Sequence, residues 1–228
     1  MPQVKHTVGN VEILALHDAE VALPLSRTFP SVPAEAWAPY QQRFPEGFQG
    51  TEHLRVHFEC YLIRSQGRTI LVDTGLGNSD SNPAAVAAIG GGTEGHLVAE
   101  LNSAGLKAED VDTVFLSHLH PDHVGWNLSR GGSPPTPTFP RARYVANQAD
   151  WDAFKAPRDE EVFGFTFWEE TIGPLENLGV LDLLTGEHAL TSEITAISTP
   201  GHTPGSMSLA VVSAGQRAYI MGDVFHGP

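Results

Sequence analysis

Four side chains able to bind a metal ion fall within six residues of this chain, in the run His118-Leu-His120-Pro-Asp122-His123. The run follows an apolar stretch, residues 111–117, whose composition predicts a buried strand. Imidazole nitrogens and carboxylate oxygens suit zinc, iron or manganese. Alternate side chains of a loop leaving a strand can face one point. The spacing therefore predicts that His118 and His120 share one ion, while Asp122 and His123 face a second ion.

Later segments offer further ligands. His202 lies in a turn rich in Pro and Gly, directly after the strand-like run 193–198. Asp223 ends another short apolar run, and a carboxylate has two oxygens with which to bridge two cations. Asp73 also ends a strand-like run, where a carboxylate is suited to orient a ligating imidazole. We expect His202 to complete a three-histidine group, Asp223 to bridge and Asp73 to support a ligand.

In this order and at these strand ends, the residues resemble the metallo-β-lactamase superfamily over nearly the whole chain. The His-x-His-x-Asp-His run is highly specific, the Gly-His-Thr-Pro-Gly turn and the strand-ending Gly-Asp less so, and Asp-Thr-Gly alone is weak. The resemblance implies a dinuclear site, with zinc the expected metal and iron or manganese as alternatives. It assigns the ligands as follows: His118, His120 and His202 to the first metal, Asp122 and His123 to the second, and Asp223 to both.

Strand and helix patterns alternate along the chain. Periodicity alone predicts an α/β or α+β fold, and the resemblance implies a four-layer αββα sandwich formed by one domain over residues 1–228. Helices are predicted at residues 94–104, 147–154 and 167–178. Strands are predicted at 11–16, 58–63 and 69–72, with a turn at Gln66-Gly67, and near Val180, Ile194, Leu209 and Ala218.

One departure from the family pattern concerns the last ligand. The superfamily normally adds a histidine well after the bridging aspartate, whereas this sequence ends at Pro228. We expect that a final strand and helix follow residue 228 in a longer chain. His226, a ligand from another subunit and a single-metal enzyme are the alternatives. A second site reduced to Asp122, His123 and Asp223 is expected to bind metal more weakly than the first.

The chemistry implied is hydrolysis by a metal-bound hydroxide, with Asp122 or Asp223 accepting a proton. The family resemblance implies a small ester-like substrate, such as a lactone, thioester or phosphotriester; β-lactams are a further superfamily substrate. The His-x-His ligand pair resembles the hydrolytic members rather than the flavin-linked di-iron members, so a redox function is not expected. The competing hypothesis is a truncated member that binds metal and has no hydrolytic activity.

The amino-acid composition limits which binding partners are expected. Acidic residues outnumber basic ones by 27 to 13, for a net charge of −14, which disfavours a nucleic-acid partner. The lone cysteine, Cys60, lies in an apolar run and cannot form an intrachain disulfide, so we expect a buried strand residue and a cytoplasmic protein. The sequence contains neither a signal-like start nor an apolar run of about 18 residues, so no membrane partner is expected.

A segment rich in proline and aromatic residues, 21–50, differs from the rest of the chain. Its composition predicts a long ordered loop. One hypothesis makes it an apolar lid over the substrate pocket, which favours a lipophilic lactone as substrate. The alternative is packing against the body of the protein or against a second subunit, which leaves a homodimer open.

Overall fold

Two β-sheets form the frame of the fold, and helices cover one face of the larger sheet. The computed structural model describes residues 3–132, 134–155 and 168–224. The strands are β1 Lys5–Val8, β2 Val11–Pro24, β3 Phe48–Gln49, β4 His53–Ser65, β5 Arg68–Val72, β6 Thr113–Phe115, β7 Leu128–Ser129, β8 Thr136–Pro137, β9 Arg143–Asn147, β10 Leu181–Leu184, β11 His188–Thr191, β12 Ile194–Ser198, β13 Met207–Ser213 and β14 Gln216–Ile220. The α-helices are α1 Leu25–Thr28, α2 Ala38–Arg43, α3 Pro83–Ala88, α4 Leu97–Ser103, α5 Gln148–Lys155, α6 Trp168–Thr171 and α7 Pro174–Asn177.

The larger sheet has the strand order β1-β2-β4-β5-β6-β9-β10, with β3 paired to β4. Its first half is antiparallel, and β5, β6, β9 and β10 run parallel to one another. The smaller sheet, β11-β12-β13-β14, is antiparallel. Parallel neighbours end at the same edge, so the loops that follow β5 and β6 are brought together.

Alternate residues of each central strand pack into different cores, as the two-residue period of a strand requires. Leu62 and Leu71 face a core shared with Leu97 and Trp151 of the helices. Their neighbours Ile63, Ile70 and Val72 face a second core, which they share with residues of the smaller sheet such as Leu209 and Val211. The fold is thus a mixed α/β structure with helix and sheet layers, as predicted.

Most of the predicted elements are present, with altered bounds. The Gln66-Gly67 hairpin is confirmed, and both turn residues have positive φ, 53° and 75°, which matches the twist of the flanking strands. The helix predicted over 167–178 is interrupted, because its described part forms the two short helices α6 and α7. The strand β9 and the helix α3 were not predicted. Cys60 is fully buried on β4, as expected.

The segment 21–50 is not a simple loop. The strand β2 continues to Pro24, and the chain then forms α1, α2 and two short 3₁₀ turns before it returns through β3. Trp37 lies at the centre of its aromatic side chains, with ring centroids 5.1 Å from Phe29, 6.2 Å from Tyr40 and 6.3 Å from Phe48. We call this segment the aromatic arm. Most of its residues are exposed.

Candidate metal centre

The predicted site residues all lie on loops at strand ends. Asp73 follows β5, and the His118–His123 loop follows the parallel neighbour β6. His202 is in the turn between β12 and β13, and Asp223 follows β14. The larger sheet contributes the first two loops and the smaller sheet the last two. The centre therefore forms only when the two sheets stack.

Three histidines form a compact first group. His118 Nε2 lies 3.1 Å from His120 Nδ1, which in turn lies 2.8 Å from His202 Nε2. All three donor atoms fall within 4.8 Å of one another. His118 is only 2% exposed, whereas His202 is exposed, so this group opens to solvent on the His202 side.

A second group shares His118 with the first and adds His123 and Asp223. Asp223 Oδ1 is 3.4 Å from His123 Nε2, and its other oxygen, Oδ2, is 3.4 Å from His202 Nε2. The carboxylate therefore directs one oxygen to each group. Asp122 lies beside the second group, with Oδ2 3.7 Å from His123 Nε2.

Asp73 orients residues of both groups through hydrogen bonds. Its Oδ2 lies 2.8 Å from His123 Nδ1, and it also accepts a hydrogen bond from the Ser117 hydroxyl at 2.7 Å. That hydroxyl oxygen is 3.1 Å from His118 Nδ1. A carboxylate only accepts, so this arrangement holds the protons on the Nδ1 atoms of His118 and His123 and turns their Nε2 atoms toward the centre. Asp73 has φ +59°, in the left-handed region that Asp and Asn adopt more readily than other residues with a side chain.

The electrostatics of the histidines differ between the two groups. Burial lowers the pKa of His118, and it lowers the pKa of His120 to about 4. Both rings are therefore neutral near pH 7, which is the form that binds a metal. Burial also lowers the pKa of His123, but the three surrounding carboxylates, led by Asp73, outweigh this and raise it well above its usual value. Negative charge is thus concentrated around His123.

The donor set fits divalent metal ions. Two ligands at 2.0–2.1 Å from a tetrahedral zinc are about 3.3 Å apart, and the ring nitrogens of the first group are 2.8 and 3.1 Å apart. Small ring movements would therefore admit an ion. The second group combines imidazole nitrogen with carboxylate oxygen, which also suits zinc, iron or manganese. The structure brings all of the predicted ligands together, and their role as ligands stays a prediction. His226, the alternative ligand, lies outside the described residues.

Sequence reasoning missed two buried carboxylates beside these loops. Asp150, in the first turn of α5, accepts hydrogen bonds from the loop and the turn that carry the histidines. Its position predicts only a favourable charge at a helix start, so no local pattern marks it as special. Asp18 is the extra residue of a β-bulge in β2, where the register with β4 shifts between His17 and Ala19. The alternation of β2 up to residue 16 predicts nothing of that bulge.

Asp18 is fully buried and holds three segments together. It accepts hydrogen bonds from Leu76 N at 2.7 Å, Leu97 N at 2.9 Å and the Trp126 indole at 2.8 Å, with a longer one from Gly77 N at 3.3 Å. Burial raises the pKa of its carboxyl, and these four donors oppose that rise. Asp18 thus ties the loop after β5 to the start of α4 and to the chain just past His123.

The model of the metallo-beta-lactamase superfamily matches residues 59–228. An N-acyl homoserine lactonase of a Bacillus species is 30% identical over 164 residues, which cover 67% of this chain and 57% of that protein. The chain thus matches less than two thirds of the length of this relative. None of the described helices is long and apolar enough to cross a membrane.

Solved structures share the fold. A probable metal-dependent hydrolase from Staphylococcus aureus has a TM-score of 0.78 at 23% identity, covering 96% of this chain and 74% of that one. AidC, a dizinc quorum-quenching lactonase in complex with a product, has a TM-score of 0.74 at 21% identity, covering 95% of this chain and 72% of that one. The family match, the two stacked sheets and the histidine loops agree: the chain belongs to the metallo-β-lactamase superfamily.

Proposed function

We propose that this protein is a metal-dependent hydrolase that opens lactones, with a pair of divalent ions, zinc foremost, held by the two groups. One observation carries the proposal: His118 belongs to both groups, and Asp223 directs one carboxylate oxygen to each. Two adjacent donor sets with a carboxylate between them suit hydrolysis with two metal ions about 3.5–4 Å apart.

The proposed ligands are divided between the ions as the resemblance implies. His118, His120 and His202 would hold the first ion, Asp122 and His123 would contribute to the second, and Asp223 would contribute to both. Asp122 is half-buried, and its Oδ2 lies 3.7 Å from His123 Nε2, within reach of the second group. Divalent cations held by these residues would supply Lewis acidity to the reaction.

Side chains of the protein orient the ligands and transfer the proton. Asp73 keeps the Nε2 lone pairs of His123 and, through Ser117, of His118 directed at the centre. Asp223 and Asp122 each have a carboxylate oxygen at the centre that can accept the proton released from water and return it to the leaving alkoxide. No serine or cysteine nucleophile is needed, and the only cysteine is buried in the core of the fold.

A lactone is the proposed substrate because relatives such as the Bacillus protein are N-acyl homoserine lactonases. The net charge of −14 favours a neutral substrate over a polyanion. The aromatic arm offers apolar surface for an acyl chain, provided that it closes over the centre. Tyr40 and Phe29 on this arm are exposed and available for such contact.

The test is a substrate panel on the zinc-loaded protein, containing an N-acyl homoserine lactone, a thioester, a β-lactam and a phosphotriester. We expect turnover of the lactone, abolished in His118→Ala and retained in His188→Ala, an exposed histidine on β11. Turnover of another substrate in the panel without turnover of the lactone would refute the proposed substrate, and the protein would still be a hydrolase.

The competing proposal is a metal-binding member without hydrolytic activity. Elemental analysis of the same samples distinguishes the two. About two equivalents of metal together with lactone turnover support the hydrolase, whereas one equivalent and no turnover of any substrate in the panel support the inactive member.

A further inference from the structure

We infer that Asp150 is a positioning residue, which sets the spacing between the loop carrying His118 and His120 and the turn carrying His202. The inference rests on the proposed function, because it concerns the first metal group of that site. It is independent of which substrate the protein opens.

Asp150 connects the loop and the turn through three hydrogen bonds. Its Oδ2 accepts from Leu119 N at 3.1 Å, and Leu119 stands between His118 and His120. The same oxygen accepts from the Thr203 hydroxyl at 2.9 Å, and Oδ1 accepts from Gly205 N at 2.6 Å. Thr203 directly follows His202. One rigid carboxylate thus joins the larger sheet's loop to the smaller sheet's turn.

Asp150 and the turn that carries His202 are closely packed at Gly205. A Cβ at Gly205 would collide with the backbone nitrogen and the carboxylate of Asp150. Asp150 itself is 0% exposed, and no Lys or Arg forms an ion pair with it in the described parts of the chain. The three N–H and O–H donors therefore compensate for burying its charge. A carboxylate satisfied in this way holds its donors at fixed distances.

Substitution by asparagine removes this arrangement with almost no change in shape. An amide has one acceptor oxygen, so its NH₂ group must face either Gly205 N–H or Leu119 N–H, and at least one hydrogen bond is lost. Alanine loses all three. Asp152 offers a matched control, since it lies on the same helix and is exposed. Thr203→Val removes the hydroxyl that donates to Asp150 Oδ2, together with its contact to Ser206 Oγ, and keeps the bond from Gly205 N, whereas Thr203→Ser keeps a hydroxyl there.

The experiment measures zinc affinity by competition with a chromophoric chelator, on the full chain, together with the visible spectrum of the cobalt-loaded protein. We expect Asp150→Asn to weaken binding of the first equivalent about 10–100-fold, the range for residues that orient ligands, and Asp150→Ala to weaken it further. Thr203→Val is expected to weaken it less, and Thr203→Ser and Asp152→Asn to leave it unchanged. The cobalt bands are expected to shift in the variants that lose affinity.

Three outcomes separate the possibilities. If the Asp150 variants melt at lower temperature but match Asp152→Asn in zinc affinity and cobalt spectrum, the residue is only structural and the inference is overturned. If the wild type binds zinc and the variants lose affinity but no lactone is opened, the inference stands and the proposed substrate falls. If the wild type binds no zinc, both are overturned.

Discussion

The two groups of the candidate metal centre are held in different ways. In the second group, a side chain supports a side chain: Asp73 Oδ2 contacts His123 Nδ1 directly at 2.8 Å. In the first group, a side chain supports mainly the backbone: Asp150 accepts hydrogen bonds from Leu119 N, next to His118, and from Gly205 N and the Thr203 hydroxyl in the turn of His202, and it contacts no ring in the described hydrogen bonds. Direct support selects the tautomer and direction of one ring, whereas backbone support sets the distance between two chain segments.

The largest expected effect comes from His118, which both groups share. His118→Ala is expected to reduce the binding of the first metal equivalent most, to weaken the second as well because His118 Nε2 lies 3.9 Å from the Asp223 carboxylate between the groups, and to lower turnover more than the 10–100-fold typical of losing a supporting residue. Metal analysis after dialysis and lactone kinetics measure this, with His188→Ala as control. Loss of only one equivalent would show that the groups are independent and would break the comparison.

Replacing Asp73 tests direct support. Asn tolerates the positive φ of this position, so Asp73→Asn keeps the backbone, but its single acceptor oxygen cannot serve both Ser117 N, now at Oδ1, and His123 Nδ1, now at Oδ2. We expect the second metal equivalent to bind about 10–100-fold more weakly, with a smaller loss for the first. A chelator titration resolves the two equivalents, and Asp80→Asn, at an exposed loop position, is the control. Equal losses at both equivalents would contradict this prediction.

Asp18 tests whether every buried carboxylate near the centre acts on metal binding. Asp18→Ala leaves three buried backbone N–H donors and the partly buried Trp126 indole without their acceptor. Because each unsatisfied donor costs about 1–3 kcal/mol before relaxation, we expect the free energy of unfolding to fall by about 3–5 kcal/mol. Urea unfolding of the metal-free protein measures it. The first zinc equivalent is expected to bind nearly as in the wild type, and a loss as large as that of Asp150→Asn would refute this distinction.

The smallest expected effect is that of an exposed ion pair outside both groups. Arg143 on β9 donates to Asp182 on β10, with Nε 2.8 Å from Oδ2, and this hydrogen bond lowers the pKa of Asp182. Because the folded pKa is below the unfolded value, the pair stabilises the protein above the unfolded pKa, near 3.9, and that stabilisation is lost as pH falls through the folded pKa.

Solvent screening limits the contribution of this pair to about 1 kcal/mol or less. Asp182→Asn is therefore expected to lower the free energy of unfolding slightly at pH 7, with the difference from wild type shrinking as pH falls below about 4. Urea unfolding of the metal-free proteins across this pH range measures it. A difference that grows towards acid pH would contradict the sign.

Much of the centre was predictable because its residues are close in sequence or follow strand-like runs. The histidines of the 118–123 loop share six residues, and Asp73, His202 and Asp223 each follow an apolar run. The elements with a clear period, such as α4 and β5, were predicted for the same reason. The aromatic arm was predicted as a loop because its frequent prolines are typical of loops, and helices as short as four residues, such as α1, have no recognisable periodicity.

The sequence by itself determined which side chains can bind a metal, since residue type and local spacing set ligand chemistry. Only the tertiary structure decided what holds them, because hydrogen bonds between distant segments leave no local pattern. Asp150 and Gly205 are 55 positions apart, and Asp18 and Trp126 are 108 apart. A buried carboxylate is stable only where folding brings enough donors around it, and those donors are mostly backbone N–H groups that every residue type except proline has.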